Sequence, residues 1–552
     1  PGTWVESIQI TKGAGSVVNG YESISGQINT ELIKPINDIP FFLNVYGSTD
    51  SRFELNTHFN TQLSNKWSSS LFLHGNTRAA KMDQNKDGFL DNPLAKQINI
   101  LNRYQYYDPE KGWVSFINFR YMNDKKQMGQ MSFNPDKDRG TTNLWGSEIN
   151  TERLDVTTKL GYVFKDMPYQ SIGFQNAFTT HNQQSYFGLN QYNIKQNSYY
   201  SNLIFNSIIN NTMHKFATGL NFTLDNYQEL VAVKDWSRTD NSVGAFFEYT
   251  FDNDENFSLI LGGRIDNHNR LGTFVTPRLH LRYNPWEKAV IRFSAGRGKR
   301  SANIFAESQS LFASSRAFSI LDTNGKIYGL NPEIAWNYGG SFTQSFLLFG
   351  KSADVSLDLY RTDFQNQVVV DVMQSPQQVL FYNLTGRSFA NSVQLEFNYD
   401  FTTRFKMRSA YKMYDVQTDY LSGTFQKPLQ AKKRFFGNLE YETSSFSNSQ
   451  YWKFDFTYNW IGAQQLPNTQ SNSNIDRLPK FSPAYSLMNT QITRVFSSVF
   501  EVYVGGENIG NYTQSKAILG AENPFDATFD SSIVYAPIFG QMYYAGLRFK
   551  IK

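Results

Sequence analysis

From Phe41 onward the chain alternates apolar and polar side chains at period two, in runs of about ten residues. Ala353, Val355, Leu357 and Leu359 fall on one side of an extended segment; Asp354, Ser356, Asp358 and Tyr360 fall on the other. Phe257, Leu259, Leu261 and Ile265 oppose Ser258, Gly262, Arg264 and Asp266. Near the end, Tyr543, Ala545, Leu547, Phe549 and Ile551 oppose Tyr544, Gly546, Arg548 and Lys550. One face suits lipid and the other suits a wet interior. Soluble β-sandwiches alternate in the same way, so the connections must decide between them.

The connections alternate between short and long. Ser64-Asn65-Lys66, Pro109-Glu110-Lys111-Gly112, Asn210-Asn211, Asn284-Pro285-Trp286-Glu287, Gly350-Lys351, Thr402-Thr403 and Ser497-Ser498 read as tight turns. Between them lie long polar stretches, predicted as loops over 78–97, 125–150, 182–194, 227–241, 299–335, 365–387, 417–430, 463–483 and 508–540. Outer-membrane barrels have short periplasmic turns and long outer loops. The predicted strand number is about 22, the size of a plugged transporter barrel. An even number returns both barrel ends to the periplasmic side. Trp67, Trp113, Trp286 and Trp452 each sit at or just after a short turn, which predicts an aromatic girdle on that side. No fixed repeat of 20–50 residues supports a solenoid or propeller. The predicted fold class is therefore an all-β membrane protein, a transmembrane antiparallel β-barrel.

Composition agrees with this. Of 552 residues, 47 are Phe, 32 Tyr and 9 Trp, an aromatic share of 16%. Mean hydropathy is −0.48, and no run of about 18 apolar residues is present to form a membrane helix. Alternating strands need no such run. With no cysteine, disulfides, thiolate chemistry and Cys-based zinc sites are excluded. A net charge of +4 gives no support for nucleic acid as a partner. No signal peptide is visible, so the chain is expected to lack its export signal.

The first 35 residues differ from the rest. The run Val5 to Lys12 reads as a strand, followed by a glycine-rich turn and the segment Gly26-Gln27-Ile28-Asn29. Gly13, Gly15, Gly20 and Gly26 suit positive φ or close backbone approach. The motif formed by Lys12, Gly13, Ser16, Gly20, Gly26 and Asn29 resembles the end of the plug domain of TonB-dependent outer-membrane transporters. Further marks follow in the family's order. Gly263-Arg264-Ile265-Asp266 with Pro277-Arg278 resembles its mid-barrel Gly-x-Arg-x-Asp and Pro-Arg pair. Phe293-Ser294-Ala295-Gly296-Arg297-Gly298, Leu330-Asn331-Pro332-Glu333 and Gly506-Glu507-Asn508-Ile509 resemble later motifs. One departure is the final Lys552, where the family usually ends on an aromatic residue.

The resemblance implies a plug segment over 1–35, truncated at its start, and a barrel over 36–552. It implies active uptake driven from the inner membrane by a TonB–ExbB–ExbD complex, whose contact box would lie upstream. It implies a small chelate as substrate, outer-membrane lipid and lipopolysaccharide as surroundings, and a surface lipoprotein as a candidate partner. By frequency in the family, the cargo is a ferric siderophore or other iron chelate. Alternatives are a copper or other metal complex, or a glycan or peptide; a different class is a barrel acting as adhesin or as an enzyme with its site in the loops. No Ser-His-Asp constellation or paired-carboxylate site is discernible, so no catalytic residue is assigned, and no cofactor is required.

Three constellations carry candidate chemistry. Asp83, Asn85, Asp87 and Asp91 fall at positions 1, 3, 5 and 9 of a segment with Gly88 at position 6, the spacing of a calcium loop. Position 12 is Leu94, where an EF-hand has its bidentate Glu. The alternative is a solvated Asn/Asp/Gly loop tip, and a calcium ion there would be structural rather than cargo. Met128 and Met131, beside Met122, offer thioethers suited to Cu(I), or apolar packing at a loop base. Arg297, Lys299, Arg300 and Arg316 border or enter the longest loop and would favour an anionic chelate, or bind lipopolysaccharide phosphates. The six histidines are scattered, without metal-ligand spacing, and read as barrel-wall residues.

Overall fold

The computed structural model describes residues 1–445 and 450–551. Two strands of the N-terminal segment, β1 (Val5–Lys12) and β2 (Gly26–Leu32), form an antiparallel sheet of their own. After Leu32 the chain crosses to Phe41–Ser48, the first strand of a closed barrel. Twenty-two strands close that barrel, each antiparallel to its neighbours, as predicted. Closure is made by Phe41–Ser48 pairing with Met542–Ile551, from Ile551↔Phe41 to Tyr544↔Ser48. A closed ladder leaves no strand edge, which the interior of a membrane would penalise.

Alternation sorts the side chains as predicted. On Phe257–His268, Leu261 and Ile265 are exposed on the outer face, while Arg264 and Asp266 are buried inside. Leu359 and Leu395 are exposed outside, and Asp358 faces inward to Lys12. Trp67, Trp113, Trp286 and Trp452 all lie exposed at the short-turn rim, where an indole can hold its ring in lipid and its N–H in the headgroups. Each histidine lies on a barrel strand. Placing a charge on the outer face at mid-strand tests this sorting: Leu359→Arg is expected to destabilise the barrel by about 2–4 kcal/mol, read by chemical unfolding in lipid vesicles.

Two of the predicted loops are corrected. Residues 182–194 are a hairpin: strand Ser171–Phe187 turns through Gly188 and Leu189 into Asn190–Ile209. Likewise Asn211–Val231 and Arg238–Asp252 keep pairing up to Tyr227↔Arg238. These strands reach 15 to 21 residues, whereas crossing the membrane takes about 9–11. The excess stands above the lipid, where the outer face meets water and the inner face packs against the loops, with Phe187, Tyr192 and Ile194 buried there. There Asn182, Gln183 and Gln184 pair in the ladder although the apolar alternation has ended.

The long-loop rim has a core of its own. Phe89, Trp145, Phe305, Phe312, Phe381 and Phe529 are buried in one cluster drawn from five different loops. Strands Ala317–Ile320, Val368–Asp371 and Gln378–Asn383 form a small sheet within it. Burying each such aromatic contributes about 1.5–3 kcal/mol, so the loops fold as a layer over the barrel mouth. A buried polar cluster fixes that layer to the wall: Arg238 Nη1 donates to Glu229 Oε2 at 3.1 Å and to Tyr328 Oη at 2.7 Å, and the Tyr192 hydroxyl donates to Glu229 Oε1 at 3.0 Å.

Candidate functional site

The N-terminal segment is held inside the barrel by two arginines of adjacent strands. Arg264 is fully buried; it makes a two-pronged ion pair with Asp266, at 2.6 and 2.7 Å, and donates to Val17 O at 2.8 Å. Arg278 donates to Gly15 O at 2.8 Å, Ser16 O at 2.5 Å and Gly20 O at 3.0 Å. The guanidinium fork suits this, because its five donors can serve several carbonyls of one tight turn. Gly20, at φ 119°, supplies that turn's reversal. Ser16 Oγ accepts from Val18 N at 3.1 Å and donates to Glu248 Oε2 at 2.7 Å. Lys12, at the end of β1, pairs with Asp358 and lies 3.6 Å from Glu396, on two adjacent strands further along the wall.

Glycines on both sides allow this close approach. A Cβ on Gly13, which has φ 85°, would lie 2.1 Å from Ser294 Oγ; one on Gly296 would lie 2.4 Å from Ala14 Cβ. The ladder between Gly272–Tyr283 and Ala289–Arg300 ends at Arg278↔Gly296. Above it the N-terminal segment enters the gap, and Lys299 N donates to Tyr21 O at 3.3 Å. Gly26 and Asn29 hold the segment to itself: Gly26 pairs with Lys12, and Asn29 Nδ2 donates to Gln9 Oε1 at 3.3 Å.

Between this segment and the loop layer lies a cavity of about 1250 Å³. Lys12, Ser23 and Ile24 line it from below, Leu311 and Arg316 from the loops, and Tyr414 from the wall. Of the four predicted basic residues, Arg300 and Arg316 line the cavity. Arg300 is paired with Glu333 at 2.6 Å and Glu307 at 2.7 Å. Arg316 is paired with Asp530 at 2.8 Å and also donates to Ser375 O at 3.0 Å. Arg297 instead bonds Gln365 at 3.3 Å, and Lys299 reaches Leu271 O at 3.1 Å over the ring of Phe274. The lining is thus mixed in charge, and both of its arginines are paired with carboxylates. Lys412 and Lys427 also line it, and neither was singled out in the sequence.

The barrel model of the TonB dependent receptor-like family matches residues 17–509. This chain belongs to the TonB-dependent receptor family. It is an outer-membrane β-barrel. Among solved structures it is similar to the siderophore receptor PirA from Pseudomonas aeruginosa, at 11% identity and TM-score 0.69, over 99% of this chain and 87% of that one. The ferric enterobactin receptor PfeA of the same organism, in a mutant form, aligns at 11% identity and TM-score 0.73, over 100% and 86%. PirA from Acinetobacter baumannii aligns at 13% identity and TM-score 0.73, over 99% and 85%. At such identities these likenesses speak for the fold. No curated protein sequence matches the chain.

In this receptor the aspartate-rich loop and the methionines both sit at the long-loop rim. Asp83, Asn85, Asp87 and Asp91 lie in the connection between Trp67–Arg78 and Leu94–Asp108. Burial, with the charge of Asp83 adding to it, holds the Asp87 and Asp91 carboxyls above the ordinary carboxylate range. Met128 lies near the top of strand Trp113–Gly129 and Met131 in the loop beyond it. Met122 is six residues below Met128 on that strand, about 20 Å away, so the three thioethers do not form one cluster. What the sequence reading missed are the acceptors and partners: Glu248, Asp358 and Asp530 carry no motif. The Gly-x-Arg-x-Asp and Pro-Arg marks pointed at the two clasping arginines without revealing what they clasp.

Proposed function

We propose that this receptor takes up a ferric siderophore or similar iron chelate across the outer membrane. The N-terminal segment acts as the end of a plug, and energy comes from the TonB complex with ExbB and ExbD. The observation that carries this reading is the cavity of about 1250 Å³ between the clasped segment and the loop layer. It exceeds the roughly 300–1000 Å³ typical of small-molecule sites, so it has room for a bulky chelate. Its walls offer carbonyls, tyrosines and amides as well as paired charges, which suits a polar complex of low net charge. A lumen of this width would leak if open, so passage requires the clasp to yield. That need explains why the energy must come from outside the barrel. A surface lipoprotein is a further candidate partner at the loop face. The named neighbours that support the cargo class are siderophore and ferric enterobactin receptors.

Uptake of radiolabelled ferric siderophores by iron-starved cells tests this. Deleting the gene is expected to abolish uptake of one chelate, and a protonophore is expected to abolish it equally. Unchanged uptake across a panel of chelates would overturn the iron reading. Copper uptake with Met128→Leu and Met131→Leu, and then glycans or peptides, would be measured next.

A further inference from the structure

The loop between Arg78 and Leu94 contains three carboxylates that transport does not use. Its backbone is wrapped around them. Gly88 N donates to Asp83 Oδ2 at 2.9 Å, Asp87 N to Asp83 Oδ1 at 3.1 Å, and Phe89 N to Asp87 Oδ1 at 2.9 Å. Gln84 N donates to Asp91 Oδ2 at 2.7 Å, which turns the Asp91 carboxylate back toward the start of the loop. Gly88, at φ 84°, makes the reversal that brings position 7 back over positions 1 to 5. One atom remains unexplained. Asp91 is 9% exposed, and its Oδ1 is buried without a hydrogen-bond partner. An unpaired buried carboxylate oxygen is costly unless a cation meets it. Lys81 of the same loop does not meet it; its Nζ donates to Met131 O at 2.6 Å.

We propose that this loop binds one calcium ion, with side-chain oxygens of Asp83, Asn85, Asp87 and Asp91 and the carbonyl of Phe89 as ligands. The donor set is all oxygen, which selects a hard cation over copper or zinc. Calcium accepts six to eight oxygens in flexible geometry, whereas magnesium demands a tight octahedron. With Leu94 at position 12, Asp91 and water complete the shell. Among the described residues no group of three His, Cys, Asp or Glu side chains is already drawn together tightly enough to hold an ion, so binding includes a closing movement of the carboxylates.

The ion would act on the loop layer. Phe89 is buried against Trp145 and Phe529, with ring centroids 6.0 Å away in each case. Leu90 N donates to Gly129 O at 2.9 Å, Met131 N to Gly88 O at 2.8 Å, and Gly540 N to Gln84 Oε1 at 3.1 Å. The loop therefore joins two neighbouring loops, and calcium closes that joint whatever the cargo.

The test is calorimetric titration of calcium into the full-length protein, purified in detergent and stripped with chelator. Tryptic cleavage after the exposed Lys86 gives the second readout. One site per chain is expected, with magnesium binding far more weakly. Asp87→Asn and Asp91→Asn are expected to weaken calcium binding at least tenfold. Calcium should slow cleavage at Lys86 at least tenfold in the wild type and leave Asp91→Asn unprotected. Heat-modifiable gel migration shows whether each variant is folded, and Asn85→Ala, a single neutral ligand lost, serves if an aspartate variant is not. Wild-type protein that takes up no calcium would overturn the proposal. So would folded variants that bind like the wild type, because the ion would then sit elsewhere.

Discussion

Arg278→Met is expected to turn a closed receptor into a leaking one. The side chain donates to the carbonyls of Gly15, Ser16 and Gly20, all within one turn of the N-terminal segment. Hydrogen bonds involving a charged partner contribute about 1.5–3 kcal/mol each. Buried carbonyls left without a donor cost about 1–3 kcal/mol each. Methionine fills similar volume but donates nothing, so the segment loses several kcal/mol of attachment at one stroke. The barrel loses little, because its ladder does not involve this side chain. A steady ion current across planar bilayers is the expected reading, together with sensitivity of cells to large antibiotics and loss of active uptake. Arg282 on the same strand bonds none of these carbonyls, so Arg282→Met should keep the pore closed. A closed pore with normal uptake in Arg278→Met would show that the clasp does not govern the channel.

Breaking the Arg316–Asp530 pair is expected to unfasten the loop layer. The two residues lie 214 positions apart in sequence, and their side chains are 1% and 5% exposed. Backbone bonds run beside the pair: Ser315 N donates to Phe529 O at 2.9 Å and Ser531 N to Ala313 O at 3.0 Å. Removing one partner of a buried ion pair costs about 3–5 kcal/mol, because the other charge is left stranded. Asp530→Leu therefore leaves the Arg316 guanidinium without its carboxylate. Rapid proteolysis within 301–332 and 508–541 is expected, with at least tenfold weaker cargo binding. Replacing both partners by apolar residues removes the stranded charge, so Arg316→Met with Asp530→Leu should recover most of the protection. Equal damage in the single and double variants would mean that the pair does not fasten the loops.

The barrel was legible because a lipid face and a wet face are imposed on every strand separately. A short run of alternation, such as Val355, Leu357 and Leu359 against Asp354, Ser356 and Asp358, carries the whole signal. The rim tryptophans were legible for the same reason, since Trp67 and Trp286 sit beside turns too short to be anything else. Above the lipid the constraint lapses. The hairpin 182–194 pairs as strand with polar residues on both faces, so it read as a loop. The candidate site was legible only in part. Lys12, Ser16 and Gly20 marked the segment that packs inside, and Arg264 and Arg278 were noticed as motif residues. That the guanidinium of one meets Val17 and that of the other Gly15 could not be seen in the chain.

The local pattern thus determined the class of fold, the strand number, the side on which the turns lie and the family. The tertiary structure decided which charges are spent. Arg300 and Arg316 looked like a rim awaiting an anion; in the fold each faces a carboxylate of its own. Strand alternation is a property of neighbours in sequence, imposed by the two solvents on either side of a wall. Charge pairing between loops depends on how barrel closure brings together segments hundreds of residues apart, and no local period encodes that.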